Sequence, residues 1–150
     1  MTIEHRESRI VPYAAELMYA VVADIERYPE FLPWVLGLRV LTRAPGRMTA
    51  EMLVGYGALR ERYTSDILLD PQGRAIEVTQ AHHGKRGGLF RTLENHWRFT
   101  PSAGGCQVDF SIRFEFRSRL LAKLAGAKFE KALTRMTQAF EARAGALSSA

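Results

Sequence analysis

From Cys106 to Phe116 the chain alternates without a break. Cys106, Val108, Phe110, Ile112, Phe114 and Phe116 fall on one side; Gln107, Asp109, Ser111, Arg113 and Glu115, continued by Arg117, fall on the other. A period of two describes a strand with one dry face and one wet face. Directly after it, Leu121, Ala125, Phe129, Leu133, Met136, Phe140, Ala144 and Leu147 recur every three or four positions. That spacing makes one apolar stripe along a helix running roughly from Ser118 to Leu147. A dry sheet face and a dry helix stripe that adjoin in sequence can only bury each other, so the chain must layer a long C-terminal helix on a sheet.

The rest of the sheet follows by the same period. Thr2 to Val11 reads as a first strand with weak alternation, and Pro12 then introduces Tyr13 to Ile25, where Leu17, Met18, Val21, Val22 and Ile25 recur at helical spacing. Further strands are Leu36 to Thr42, Met48 to Tyr56, Leu59 to Leu69, Ala75 to Ala81 and Leu89 to Thr100. Ala44-Pro45-Gly46, Gly55-Tyr56-Gly57, Asp70-Pro71-Gln72-Gly73 and Pro101 to Gly105 supply the turns between them. The expected fold class is α+β: about seven antiparallel strands in a curved sheet wrapped around one long helix, with one or two short helices after the first strand. This is the helix-grip, or START-like, architecture, in one domain spanning 1–150.

Tyr28-Pro29-Glu30-Phe31-Leu32-Pro33-Trp34 cannot be part of a strand or of a helix interior, because each proline lacks a donor and restricts the residue before it. It must be a turn or a single helical turn. A loop carrying four large apolar or aromatic side chains needs a core or a pocket to receive them, so it either plugs a cavity or forms its lip. The architecture offers such a cavity, since a curved sheet and a single helical cylinder leave a gap that side chains or a ligand must fill. The expected lining is Tyr28, Phe31, Leu32 and Trp34 from the loop, and Met52, Val54, Tyr56 and Tyr63 from the middle strands. Trp97, Phe99, Phe110 and Phe114 come from the last strands, and Phe129, Leu133, Met136 and Phe140 from the helix. Packed core accounts for any one of these residues; the greasy loop beside them favours a pocket.

Charge and composition exclude several classes. The 150 residues are 47% hydrophobic and 25% charged, with no run of about 18 apolar residues. His5, Arg6, Glu7 and Arg9 interrupt any signal-peptide core, so an intracellular protein is expected. The lone Cys106 excludes an internal disulfide and a cysteine-based zinc site, and its strand position makes it a buried thiol. His5, His82, His83 and His96 have no neighbours at metal-ligand spacing, so no metal is expected. No nucleophile and base can be paired from the sequence, and Glu51, Glu61, Asp66, Glu77, Glu94 and Asp109 fit outward strand positions. The net charge of +5 lies wholly in residues 113–150, where eight basic side chains face three acidic ones. A solvated helix face, anionic lipid or RNA are the three readings of that excess.

Gly84-Lys85-Arg86-Gly87-Gly88 lacks the ending of a phosphate loop and reads as a hairpin. Two readings of it stay open: a tip that meets an anionic membrane through Lys85 and Arg86, with Leu89 and Phe90 entering the acyl boundary, or an ordinary solvated turn with Phe90 folded inward.

The segment Asp24-Ile25-Glu26-Arg27-Tyr28-Pro29-Glu30-Phe31-Leu32-Pro33-Trp34 resembles the signature of the coenzyme Q-binding START-domain proteins, within the polyketide cyclase superfamily. Their bacterial members include proteins named ribosome-association toxins. Met48-Thr49-Ala50, Leu89-Phe90-Arg91 with Trp97-Arg98-Phe99, and Phe114-Glu115-Phe116 leading through Gly126 and Phe129 to Met136 and Ala139-Phe140-Glu141 extend the resemblance over nearly the whole chain. The resemblance implies a hydrophobic cavity that holds ubiquinone or a similar isoprenoid lipid as bound ligand and supports respiration or quinone synthesis. It implies no catalytic residues and no required cofactor. Mitochondrial members carry a transit peptide, and a chain that starts directly in the domain suggests a bacterial cytoplasmic protein, peripheral to the inner membrane. Gly87-Gly88-Leu89-Phe90 departs from the Gly-Pro-Phe turn of the toxin branch and stands closer to the Leu-Phe of the quinone-binding branch. Tyr56, Tyr63, Asn95 and Arg98 are the candidates for recognising a ring.

Two other functions suit the same residues. One is binding to the large ribosomal subunit through the basic helix; the other is a cyclase or dehydrase on the same fold, which needs a titratable group in the pocket. DNA is not an expected partner.

Overall fold

The computed structural model describes residues 2–81 and 89–148. β1 (Ile3–Val11) leads into α1 (Ala15–Ala23) and a 3-10 helix (Ile25–Glu30). β2 (Val35–Ala44), β3 (Arg47–Tyr56), β4 (Leu59–Asp70), β5 (Ala75–Ala81), β6 (Phe90–Ser102) and β7 (Gly105–Phe116) follow as a meander, and α2 (Arg119–Ser148) ends the chain. All seven strands join antiparallel in one sheet of order β1-β7-β6-β5-β4-β3-β2, so β1 closes onto the last strand and β2 lies at the far edge. The expected α+β helix-grip fold is the observed one.

The elements take their form from residues the sequence made legible. β7 buries Cys106, Val108, Phe110, Ile112 and Phe114 alternately, and α2 lays Ala125, Phe129, Leu133, Phe140 and Ala144 over them. Burial also pushes the Cys106 thiol up, with Glu16 adding to the shift, so it remains a protonated core thiol. Register shifts near Gly37, Leu41 and Arg91 insert bulges into β2 and β6, which bend the sheet into a trough. At the β6–β7 turn Gly104 has φ +77, and a side chain on Gly105 would meet the Val11 carbonyl at 1.9 Å, so only glycine lets β1 close against β7.

Three details differ from expectation. The weak alternation of β1 has a cause: its inward side carries His5, Glu7 and Arg9, and a polar seam joins it to α2. Thr137 is buried there and donates to Glu7 at 2.7 Å; Arg9 donates to the Thr137 hydroxyl at 3.2 Å and pairs with Glu141 at 3.0 Å. Leu147, placed on the buried stripe by its spacing, is exposed, because the helix runs past the end of the sheet. Leu89 and Phe90 are buried rather than directed to a membrane. The Leu89 N–H donates to Glu61 at 2.6 Å and its carbonyl accepts from Arg117, while Phe90 packs on Phe116 and Phe129. Lys85 and Arg86, the cationic half of that expectation, lie outside the described residues, as do His82 and His83.

Candidate functional site

Between the concave face of the sheet and α2 lies a cavity of about 90 Å³. Its position follows from side-chain size. Toward β7 the gap is filled by rings: Trp97 packs on Phe110 with centroids 4.3 Å apart, and Phe114 on Phe129 at 4.6 Å. Toward β3–β6 the inward positions carry Ala50, Ser65, Val78 and Asn95, which are too small to reach the helix. Ile67, Ile76, Leu93 and Ile112 complete the floor, and Phe129, Met136 and Phe140 close it from α2.

The prolines place the lip. Pro29 ends the continuation of α1 as a 3-10 turn, and the chain then carries Tyr28, Leu32 and Trp34 to the cavity together with Val22, Ile25, Val35 and Leu38. Tyr28 donates its hydroxyl to the Val22 carbonyl and sets its ring edge-on to Phe140 at 5.2 Å. Arg143 of α2 latches the segment from outside: it pairs with Glu30 at 3.0 Å and lies 5.2 Å over the Phe31 ring. The Glu30 hydrogen bonds with Arg27 and Arg143 hold its carboxyl below the usual range.

Of the expected lining, Tyr28, Leu32, Trp34, Met52, Tyr56, Tyr63, Trp97, Phe129, Met136 and Phe140 reach the cavity. Val54, Phe99, Phe110, Phe114 and Leu133 are buried elsewhere in the core, since β7 and the helix leave no gap above them. Phe31 turns to the outer side, where it helps line a groove with Trp34 and α2. Ser65 was not anticipated; the only mark it carries is its parity with Tyr63 and Ile67 in β4.

The cavity is apolar with a few polar atoms. Tyr63 donates to the Met52 sulfur at 3.4 Å. The hydroxyls of Tyr28, Tyr56 and Tyr63 are all pushed up, chiefly by loss of hydration, and stay neutral. Asn95 Oδ1 is buried without a hydrogen-bond partner among the described residues. Of the ring-recognition candidates, Tyr56, Tyr63 and Asn95 therefore line the cavity, while Arg98 points outward into solvent on the other sheet face. No lining residue among those described is a carboxylate, histidine, lysine or cysteine. Among the described residues, no group of three metal-ligating side chains exists.

Glu61 corrects the expectation of outward carboxylates. It shares the inward parity of Tyr63 and Ser65, sits near the start of β4, and binds the Leu89 N–H with one oxygen while the other is buried without a partner among the described residues. Desolvation raises its pKa, partly offset by the Leu89 hydrogen bond and Arg117. Glu51, Asp66, Glu77, Glu94 and Asp109 do face outward, each with a polar or cationic neighbour: Arg39, Thr49, His96, Arg113 and Ser8 respectively.

A trough-shaped sheet, a helix across it and a mostly apolar cavity beneath a proline-rich lip define a small-molecule container. The chain belongs to the polyketide cyclase / dehydrase and lipid transport family, whose model matches residues 11–141. It is 38% identical over 149 residues to the mitochondrial coenzyme Q-binding protein COQ10 homolog B of Xenopus laevis, covering 95% of this chain and 58% of that one, so it spans little more than half the length of that relative. It is 35% identical over 143 residues to the ribosome association toxin RatA of Escherichia coli K12, covering 94% of this chain and 86% of that one. Among solved structures, the ZhuI aromatase/cyclase of Streptomyces sp. R1128 superposes with a TM-score of 0.85 over 97% of this chain and 94% of that one, at 18% identity, which is a likeness of fold. No helix among the described residues is long and apolar enough to cross a membrane.

Proposed function

We propose that this protein sequesters an isoprenoid quinone of the ubiquinone type in the cavity under α2 and acts as a carrier for respiration or quinone synthesis, not as an enzyme. The observation that carries the reading is the cavity's chemistry: a mostly apolar wall under a proline-rich lip, with one amide oxygen, Asn95 Oδ1, that has no partner among the described residues and could accept from the hydroxyl of the reduced quinol form. Its likeness to a coenzyme Q-binding protein supports the choice of ligand. At about 90 Å³ the closed cavity is smaller than the roughly 150 Å³ apolar void that accepts benzene, so a substituted ring must displace part of the wall. Met52 and Met136, which are unbranched and adaptable, and the lip residues Tyr28 and Trp34 are the parts able to yield. Each methylene of an isoprenoid tail brought out of water contributes about 0.8 kcal/mol, which offsets the cost of opening.

Among the described residues the wall has no carboxylate, histidine or lysine, and burial keeps its three tyrosines neutral, which weighs against a cyclase or dehydrase. Organic extraction of protein purified from a quinone-producing host, followed by mass spectrometry, tests the proposal. Stoichiometric quinone supports it, and an extract empty of isoprenoid lipid from folded protein overturns it. The likeness to a ribosome association toxin over 86% of that protein's length favours a second reading, contact with the large ribosomal subunit through the basic α2. That reading expects cosedimentation with large subunits that falls steeply with salt.

A further inference from the structure

The net positive charge of the C-terminal quarter is not spread evenly around α2. Lys128, Lys131 and Arg135 are spaced three and four apart and so share one outward face, and Leu120 and Leu124 continue that face toward the start of the helix. The two leucines are 64% and 54% exposed, among the most exposed large apolar side chains described. Glu130, the one acidic residue between Arg119 and Gln138, projects roughly 160° away from Lys128 at 3.6 residues per turn. None of the three cations forms an ion pair with a described residue.

The cationic part of this face, Lys128, Lys131 and Arg135, is one wall of a surface groove of about 580 Å³. The opposite wall is aromatic and apolar: Phe31, Pro33 and Trp34 of the lip, with Gly55, Tyr56 and Gly57 at the end of β3. Gly57, at φ +66, brings that turn against α2, where a side chain would meet Lys128 at 3.4 Å. Trp34 and Tyr56 line the groove and the closed cavity alike, so the groove lies directly outside the cavity at its lip.

We infer that this groove docks on an anionic bilayer, with Lys128, Lys131 and Arg135 at the lipid phosphates, Leu120 and Leu124 entering the acyl boundary, and Trp34 at the interface between the two. The inference rests on the cavity being a lipid site, since it gives the ligand a direct way from bilayer to cavity. The exposed leucines decide between a membrane and a nucleic acid: a phosphate backbone gains nothing from a leucine, whereas a cationic helix face bordered by leucines and aromatic rings is what an interfacial surface needs.

Flotation with phosphatidylcholine vesicles, with and without phosphatidylglycerol, tests the docking. Wild-type protein should float with the anionic vesicles and only weakly with the neutral ones. A basic residue near an anionic surface contributes about fivefold in partitioning, so the triple variant K128Q/K131Q/R135Q should lose about a hundredfold. L120S/L124S should lose binding that high salt does not abolish in wild-type protein. R39Q/R47Q/R60Q, which removes the same charge from exposed positions on the sheet, should bind as wild type does. Equal loss in the sheet variant, or wild-type binding to single-stranded RNA but not to vesicles, overturns the docking. Lipid extraction of the same variants separates the two proposals. A filled cavity with no vesicle binding defeats the docking alone, and an empty cavity with intact vesicle binding defeats the lipid-site reading on which it rests.

Discussion

Replacing Asn95 by Leu should make the empty protein more stable while impairing it as a container. Asn95 occupies an inward position of β6 between Leu93 and Trp97, in register with Val78 and Ile112, and its Oδ1 is buried with no donor among the described residues. A buried carbonyl oxygen that gives up water without a replacement costs about 1–3 kcal/mol. Leucine has nearly the shape of asparagine, the adjoining void of about 90 Å³ gives it room, and its neighbours are already apolar. For a chain of this length a gain of 1 kcal/mol raises the melting temperature by about 2–4 °C, so N95L should melt at least about 3 °C above wild type. N95A removes the same oxygen but enlarges the void, at about 24 cal/mol per Å³, and should gain less or lose. Thermal unfolding by circular dichroism reads the first effect. Quenching of the Trp97 and Trp34 fluorescence by a short-chain quinol, whose hydroxyl can donate to the amide oxygen, reads the second, with an expected weakening of about tenfold for a lost hydrogen bond. An N95L variant that melts at or below wild type would refute the reasoning, because it would mean that the amide oxygen is satisfied.

Other perturbations probe the lip, the core and the inward carboxylate. R143A removes the latch on Glu30 and Phe31, an exposed ion pair and a cation–π contact, so ligand release measured by stopped-flow should quicken. Because the Glu30 carboxyl is held below its usual range, its contribution to closure is complete above the ordinary carboxylate pKa and is lost as pH falls through the lowered one. Wild-type release should therefore accelerate only in acid, and that acceleration should shrink in R143A. F129A empties the space between Tyr56, Phe90 and Phe114 and should destabilise by about 3–5 kcal/mol in urea unfolding. Glu61 has the opposite sign to Glu30: burial raises its pKa, so its charge costs stability as pH rises through the folded value. E61Q keeps an acceptor for Leu89 and should stabilise the protein at neutral pH more than at pH 4, as followed by melting temperature across that range.

Much of this molecule is local in origin. The period of two in β7 and the three-to-four spacing of α2 each need only a few neighbouring residues to be read, and together they impose a helix on one side of an antiparallel sheet. The prolines at 29 and 33 forbid a strand or an α-helix interior wherever the chain goes, so the greasy lip was legible, as was the buried Cys106. What remained hidden depends on distances across the fold. Whether an inward aromatic is cavity wall or packed core turns on how close the facing helix lies, which no single strand records; thus Phe110 and Phe114 are core, while Ser65 lines the void. Glu61 and the polar residues of β1 break the apolar pattern, and only their partners Leu89, Thr137 and Glu141, distant in sequence, explain them. Leu89 and Phe90 read equally as a membrane tip or as core until the ring of Phe129 is seen to receive Phe90. Periodicity determined which faces are dry; tertiary structure alone decided where the dry faces fail to meet, because a cavity is a property of the space between elements.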